Sequence, residues 1–326
     1  MTCNAIWRQW AAALSIALAG LAAAPARAAE PVTLGTIGQA SANLWPILIA
    51  LDQGFYTAED LKPDLVYVQS SAALVQQVTA GSIGIGISTG LADPLRAVGM
   101  GAPIAILRID VQAPPYDLVA KPSIASLADL KGKLISLGGP KDITRIYVER
   151  MLASSGVKPG DFDMVFAGAT AARASALTGG AVDAAILLPA FNFQAVAKGF
   201  KSLGLTADYV KDLPFSGIAV NRAWAGANTA TLTKVLNAES RSIAWFEDGN
   251  NRADAIRILK TASSLSQDDV EKAYDFFHNG HFFEPTGKVS RSKLDNLAKA
   301  MESLGDLPSA LDIDKAVMPG ITEMTD

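Results

Sequence analysis

From Val32 onward, the apolar residues switch repeatedly between two spacings. Short runs rich in Val and Ile are typical of buried strands, and they alternate with longer runs whose apolar residues recur every three to four positions, as in helices. This alternation predicts an α/β protein built on sheets. The predicted strands lie near 32–37, 64–69, 83–88, 104–111, 116–121, 133–137, 163–167, 183–188 and 215–221, and the helices between them near 44–54, 72–80, 94–99, 143–154, 171–178 and 191–198.

These elements fall into two similar series, which predicts two Rossmann-like lobes. A short internal repeat supports the division: residues 79–87 align with residues 178–186, and each segment ends a helix, turns on glycine and enters a buried strand. Any helix-to-strand turn has a similar pattern, so the repeat alone does not establish the division.

Two strand-like segments flanked by prolines, near 116–121 and 215–221, are predicted to cross between the lobes. The predicted first lobe therefore comprises residues 29–115 and 216–326, and the second comprises 116–215. Hinge motion is expected at the crossings, near 113–116 and 212–215. From Thr229 the pattern is mostly helical, and this tail is predicted to pack on the first lobe, with helices near 229–247, 253–261, 268–277 and 290–304.

Residues 1–28 are predicted to be an export signal rather than part of the fold. Arg8 precedes an uncharged apolar run from Ala11 to Ala24, and Ala26-Arg27-Ala28 is a typical cleavage site. The run is shorter than the ~20 residues that span a membrane, so no membrane insertion is expected. Cleavage after Ala28 would place the mature protein in the periplasm.

The composition and charge of the chain exclude several classes of protein. The 326 residues, half of them apolar and 18% charged, suffice for about two folded domains and argue against disorder. The net charge of −4 excludes a polybasic nucleic-acid-binding protein. The one cysteine, Cys3, lies in the predicted signal. The mature chain would therefore have neither a disulfide nor a thiolate for catalysis or metal binding.

Three segments resemble a known family. They are Trp45-Pro46-Ile47 through Asp52-Gln53-Gly54-Phe55-Tyr56 with Glu59-Asp60-Leu61, then Ser126 to Lys133, and then Ala176 to Ala184. In order and spacing they are similar to the solute-binding proteins of importers for nitrate, taurine and aliphatic sulfonates, whose fold also occurs in thiamine-pyrimidine synthases. The synthases depend on a cysteine-rich motif. Once the predicted signal with Cys3 is removed, this chain contains no cysteine, so the enzymatic branch of the family is not expected here.

The resemblance implies a type II periplasmic binding fold, with a ligand held between two lobes at a hinge and delivered to an ABC permease. We accordingly expect a monomeric, non-enzymatic binding protein without cofactor or metal. Its expected ligand is a small organic anion or zwitterion, either sulfonate- or taurine-like or a carboxylate. A binding protein of the same fold for a neutral aromatic or pyrimidine ligand is an alternative.

Ligands of open α/β sheets lie beyond the carboxyl ends of the strands, so the site is sought in the loops there. In the first lobe, Ser41 or Asn43 is expected to cap a helix whose N–H groups face the ligand, with Trp45 as an apolar wall. The alternative is that Asn43 is only a cap and that Trp45 belongs to the core. Asp110 suits an ammonium group, or it pairs with Arg108. The candidates in this lobe are Gln39, Ser41, Asn43, Trp45, Ser70, Ser88, Thr89 and Asp110.

In the second lobe, the segment Gly138 to Arg145 is predicted to turn into a helix capped by Asp142. Lys141, Thr144 and Arg145 would gather at the positive end of that helix, where an anion is favoured. The alternative is that Arg145 pairs with Asp142 or Glu149. A further loop, residues 167–170 with Arg173 nearby, and Asn192 complete the candidates.

A secreted serine hydrolase is the rival from another class. Gly86-Ile87-Ser88-Thr89-Gly90 matches G-x-S-x-G after a strand, where a nucleophile elbow belongs. The base would have to be His278 or His281, both far away in the helical tail. A metal site on these two histidines would lack a third histidine or any cysteine.

Overall fold

The computed structural model describes residues 29–39, 41–307 and 311–326, so the predicted signal peptide and its cleavage site lie outside the described residues. The strands are β1 (Glu30–Ile37), β2 (Leu61–Val68), β3 (Ile85–Gly90), β4 (Ile104–Val111), β5 (Asp117–Ala120), β6 (Leu134–Leu137), β7 (Asp163–Phe166), β8 (Ala184–Leu187), β9 (Lys201–Leu205), β10 (Ser216–Asn221), β11 (Val289–Ser290) and β12 (Met324–Thr325).

Helices connect most of these strands and form the last third of the chain. They are α1 (Trp45–Asp52), α2 (Phe55–Ala58), α3 (Ser71–Ala80), α4 (Ala92–Gly99), α5 (Ile143–Ala153), α6 (Thr170–Thr178), α7 (Phe191–Ala197), α8 (Ala207–Val210), α9 (Arg222–Ala227), α10 (Thr229–Glu247), α11 (Arg252–Ala262), α12 (Gln267–Asn279) and α13 (Arg291–Ser303). In the part of the chain that the structure describes, none of them is long and apolar enough to span a membrane.

Two five-stranded sheets share one topology. Their strand orders are β2-β1-β3-β10-β4 and β7-β6-β8-β5-β9. In each sheet the first three strands run parallel, and the fourth, β10 or β5, is antiparallel to both neighbours. The predicted α/β fold with two lobes of one build is therefore confirmed. We call each sheet with its helices a lobe, the first lobe containing β1 and the second containing β6.

The internal repeat marks equivalent places in the two sheets. Gly81 and Gly180, which align in the repeat, have φ angles of 76° and 80°. Glycine adopts this left-handed conformation without steric cost, so each ends its helix and turns the chain into the central strand, β3 or β8. The repeated pattern thus reflects the shared topology.

The chain crosses between the lobes twice, just before the two segments, near 116–121 and 215–221, that were predicted to cross and that form strands β5 and β10. The first crossing joins β4 to β5, and the second leads from α8 back to β10. They lie side by side, because Phe215 N–H donates to the Val111 carbonyl at 3.0 Å. The Tyr116 and Phe215 rings also meet edge to face, with centroids 5.0 Å apart.

The helical tail packs mainly on the first lobe, as predicted. Helix α1 contacts α10 and α11, and α13 contacts α4. Helix α12 also reaches α7 of the second lobe, where the rings of Phe193 and Phe276 lie 6.3 Å apart. Strand β9 was not predicted from the sequence, because this half-exposed edge strand contains Gly204 and lacks a run of apolar residues.

Candidate functional site

A cleft lies between the lobes, at the carboxyl ends of the parallel strands of both sheets. It encloses about 580 Å³, with the open solvent at its mouth included. The loops after β1, β2 and β3 form one wall, and the loops after β6, β7 and β8 form the other. Its lining residues are Ile37, Gly38, Gln39, Ser41, Asn43, Ser70, Ser71, Ser88, Gly90, Tyr116, Gly138, Asp142, Ile143, Gly168, Ala169, Thr170, Ala171, Arg173, Leu188 and Phe215.

The wall of the first lobe presents hydroxyl and amide groups. Asn43 Nδ2 donates to Ser88 Oγ at 2.7 Å, which holds both side chains in the cleft. Asn43 Oδ1 is buried and has no hydrogen-bond partner among the described residues. A buried acceptor without a partner costs about 1–3 kcal/mol, so this oxygen favours a ligand that brings a donor.

Ser88 has an unusual backbone for a non-glycine residue. Its φ angle is +54°, in the left-handed region, although Ser88 is only 4% exposed at the end of β3. Such strain is found most often at functional sites, where the surrounding structure holds it in place. Here the Ser88 hydroxyl accepts the hydrogen bond from Asn43 and lies in the lining of the cleft.

The wall of the second lobe contains a buried cation, Arg173 on α6. Arg173 is 3% exposed. Nε donates to the Ile186 carbonyl at 2.8 Å, and one Nη donates to the Gly168 carbonyl. The guanidinium carbon lies 5.6 Å from the centroid of the Tyr116 ring. Within the described ranges, Arg173 forms no ion pair with a carboxylate.

Asp142 is the carboxylate in the lining of the cleft. It caps α5 as predicted, accepting a hydrogen bond from Thr144 N–H at 2.9 Å. Asp93 of the first lobe lies near it, in the larger cavity of about 1010 Å³ that adjoins the cleft. Burial, followed by the charge of Asp142, raises the pKa of Asp93 to about 6.

The lobes touch closely around the cleft, and two glycines make this possible. A Cβ on Gly168 would lie 2.5 Å from the Gln69 carbonyl, and a Cβ on Gly38 would lie 2.9 Å from the Cβ of Ala169. Both glycines have positive φ angles. Ala42 N–H also donates to the Pro189 carbonyl across the gap at 3.3 Å. The two lobes are therefore in direct contact around the cleft.

The structure brings some of the predicted site residues into the cleft and leaves the others out. Those that line it are Gln39, Ser41, Asn43, Ser70 and Ser88. Neither Ser41 nor Asn43 caps a helix with its side chain, whereas Ser70 caps α3 by accepting from Ala73 N–H at 3.2 Å. The predicted residues outside the lining are Trp45, Thr89, Asp110, Lys141, Thr144, Arg145 and Asn192.

Trp45 was expected to form an apolar wall of the site, but it lies in the core of the first lobe. It is fully buried, and its Nε1 donates to the Ala255 carbonyl at 2.8 Å. Its ring packs against Phe246, Tyr274 and Phe277 of the helical tail. These partners are some two hundred residues away in the sequence, so the local pattern did not reveal them.

We predict that Trp45→Phe lowers the free energy of unfolding without changing ligand affinity. The substitution leaves the Ala255 carbonyl without its donor and removes part of a packed ring, at a cost of about 1–3 kcal/mol. Urea unfolding measures the first quantity and calorimetric titration the second. A large loss of affinity in the folded variant would contradict this prediction and show that Trp45 contributes to ligand binding.

Of the two alternatives for Asp110, an ammonium partner or a pair with Arg108, the structure shows the second, and Asp110 lies in a buried cluster outside the cleft lining. Arg108 Nε is 2.9 Å from Asp110 Oδ1, and both side chains are almost fully buried. Glu239 of α10 adds a second carboxyl group, which accepts a hydrogen bond from the Tyr56 hydroxyl. Burial raises the pKa of Asp110 to about 6 and that of Glu239 to about 7.

The basic residues predicted near α5 bind protein groups instead of facing the cleft. Arg145 Nε donates to Glu149 at 2.8 Å, which is the alternative that the sequence left open, and its Nη1 donates to the Pro140 carbonyl at 3.0 Å. Lys141 lines the adjoining cavity and lies 3.4 Å from Asp306. Thr144 is buried and accepts from Gly138 N–H at 3.0 Å.

The last two predicted residues are internal. Thr89 is fully buried on β3. Asn192 is almost as deeply buried, and its Nδ2 donates to Asp117 Oδ2 at 3.3 Å, because α7 turns this side chain onto β5. The cleft does contain Thr170 and Arg173 of the further loop named from the sequence, together with Asp142, Tyr116 and Phe215, which were not among the predicted ligand contacts.

A serine hydrolase would need an imidazole base beside Ser88. His278 Nε2 lies 3.1 Å from the Glu247 carbonyl, and His281 Nδ1 lies 3.0 Å from Glu247 Oε2. The lining of the cleft, as far as the chain is described, contains no histidine. The G-x-S-x-G segment therefore lacks the base that the hydrolase hypothesis requires.

Comparisons with known proteins identify the family and the fold. A family model described as NMT1/THI5 like matches residues 41–250. No curated protein sequence matches the chain. The fold is similar to that of the alkanesulfonate-binding protein SsuA from Xanthomonas axonopodis pv. citri bound to MOPS, with a TM-score of 0.74 and 19% identity, over 88% of this chain and 98% of that one.

Two further solved structures share the fold. The periplasmic nitrate-binding protein NrtA from Synechocystis PCC 6803 has a TM-score of 0.71 and 18% identity, over 88% of this chain and 84% of that one. A zinc-bound ligand-binding component of an ABC-type import system from Staphylococcus aureus has a TM-score of 0.73 and 14% identity, over 90% and 97%. The predicted type II periplasmic binding fold is thus confirmed.

Proposed function

The chain belongs to the NMT1/THI5-like family, and from that membership and the geometry of the cleft we propose that it is a periplasmic solute-binding protein for a small organic anion or zwitterion. The ligand, a sulfonate or a carboxylate, is held between the two lobes and passed to an ABC permease. The fold that the chain shares with the ligand-binding component of an ABC-type import system supports delivery of the ligand to a permease.

The main support for an anionic ligand is Arg173, the buried cation in the cleft. Removing a guanidinium group from water costs several kcal/mol unless an opposite charge compensates. The described residues provide carbonyl groups and a tyrosine ring around Arg173, but no paired carboxylate. An anionic ligand in the cleft supplies the missing charge, and planar guanidinium matches the oxygens of a sulfonate or carboxylate.

Two other lining groups extend the ligand class to zwitterions. Asn43 Oδ1 lacks a donor, and the Asp142 carboxylate belongs to the same cleft. An ammonium or hydroxyl group on the ligand would satisfy them while its anionic end faces Arg173. A neutral aromatic ligand could pack against Tyr116 and Phe215 in the lining, but it would leave the charge of Arg173 uncompensated.

We propose that the lobes comprise residues 29–115 with 216–326, and residues 116–215, as expected from the sequence. Opening would bend the paired crossings near 113–116 and 212–215. Tyr147 packs beside them, with its hydroxyl donating to the Pro214 carbonyl at 2.5 Å. Motion at two adjacent short segments is typical of hinge closure around a ligand.

A thermal-shift screen of the exported protein tests the proposed function. The panel contains alkanesulfonates, MOPS, aromatic carboxylates, nitrate, a pyrimidine and a model ester. A ligand at 100 times its Kd adds about 2.7 kcal/mol, which raises Tm by roughly 2–4 °C. We expect a shift with organic anions and no turnover of the ester. Shifts confined to neutral compounds, or ester cleavage lost in Ser88→Ala, would contradict the proposal.

A further inference from the structure

Arg96 on α4 of the first lobe bonds directly to the second lobe. Its Nη1 is 2.5 Å from Asp93 Oδ1 of the same helix, and its Nη2 donates to the Lys141 carbonyl in the loop after β6. The Arg96 side chain is only 12% exposed. A charge-assisted hydrogen bond from a largely buried arginine therefore joins the lobes beside the cleft, and its acceptor, the Lys141 carbonyl, lies in an exposed loop.

The loop that Arg96 holds is itself fixed to the second lobe. Arg145 of α5 donates to the Pro140 carbonyl at 3.0 Å, next to the Lys141 carbonyl. The same loop contributes Gly138 and Asp142 to the cleft lining. Because the loop is fixed by Arg145, pulling it away from Arg96 requires movement of the second lobe.

A second contact across the lobes lies beside the first. Asp306, which follows α13, is almost fully buried. Its Oδ2 lies 3.8 Å from Arg96 Nη2, and its Oδ1 lies 3.4 Å from Lys141 Nζ. The Lys141 side chain is 52% exposed, so this pair is expected to be much weaker than the bond of Arg96 to the loop.

We infer that Arg96, with Asp306 and Lys141, forms a latch that holds the lobes closed and sets how long the ligand stays bound. The inference rests on the proposed function. Arg96 is thus a positioning residue, because it acts on the ligand through the loop 138–142 and lies outside the cleft lining. Breaking the latch should speed ligand release, since the lobes must open before the ligand leaves.

The test is the exchange of trifluoroethanesulfonate on the exported protein, followed by fluorine NMR. Arg96→Met should raise the dissociation rate about tenfold or more, with the association rate changed less than about threefold. Lys141→Met should raise the dissociation rate only about two- to threefold. Arg96→Lys keeps a charge near Asp93 and Asp306 but cannot span both them and the Lys141 carbonyl, so it too should release faster.

Two variants serve as controls, because each removes an ion pair within one lobe. Arg257→Met breaks a 2.7 Å pair with Asp52 in the first lobe, and Lys131→Met breaks a 3.7 Å pair with Asp161 in the second. Both should release ligand at the wild-type rate. Wild-type release from folded Arg96→Met or Arg96→Lys would overturn the latch alone. A wild-type protein that binds no anion would overturn the proposed function and, with it, the retention role.

Discussion

Arg173→Met is expected to lower the affinity for an anionic ligand by at least about a hundredfold. The guanidinium offers an anion charge-assisted hydrogen bonds worth about 1.5–3 kcal/mol each, and Arg173 is only 3% exposed. Without Arg173, the described lining retains Asp142 as its ionisable carboxylate and has no cation to balance an anion. The loss should fall mainly on sulfonates and carboxylates, as measured by calorimetric titration.

Arg150→Met is the matched control for this substitution. Arg150 lies on α5 of the same lobe and pairs with Asp212 at 3.1 Å, with both side chains well exposed. Its removal should leave the affinity within about twofold of wild type. Because Arg173 also holds the Gly168 and Ile186 carbonyls, Tm is recorded for each variant. Undiminished affinity in folded Arg173→Met would contradict the assignment of the anion site.

Glu239 is expected to make the protein less stable as the pH rises from 5 to 8. Burial raises the pKa of Glu239 from 4.5 to about 7, with the charge of Asp110 as the next cause. The native state therefore holds a proton that the unfolded chain releases between these values, and the free energy of unfolding falls as pH passes through them. One such shift is worth about 3 kcal/mol. Asp110, whose pKa is raised to about 6, acts in the same sense.

Glu239→Gln removes this titration while keeping an acceptor for the Tyr56 hydroxyl. The variant should be more stable than wild type at pH 8 and should show a flatter dependence on pH, as measured by urea unfolding at several pH values. Glu323→Gln, in an exposed pair with Lys288, should leave the profile as it is. A wild-type slope in Glu239→Gln would show that Glu239 does not carry the proton.

The fold could be predicted from the sequence wherever a signal is local. The predicted bounds of β4 and α10 agree with the structure, because each element is a continuous apolar or amphipathic run. The repeat around Gly81 and Gly180 located the two central strands. Strand β9 was missed because its stability comes from pairing with β5, a contact between distant segments.

The candidate site was harder to predict because two arginines follow strand ends, and local spacing favoured the wrong one. Arg145 follows the capping residue Asp142, but Glu149 lies one helical turn away, and its carboxylate forms an ion pair with Arg145. Arg173 has Ala169, Thr170, Ala176 and Leu177 at the corresponding positions. The absence of a nearby carboxylate on its own helix was a sequence signal for an arginine free to bind a ligand.

The most direct test of an anion-binding cleft is a calorimetric comparison of ethanesulfonate with ethanesulfonamide on the wild-type protein. The two compounds have similar shape, but the sulfonamide is uncharged at neutral pH. The structure predicts one-to-one binding of the sulfonate and at least about a hundredfold weaker binding of the sulfonamide, since only the anion compensates Arg173. Equal affinity for the two compounds would contradict the account.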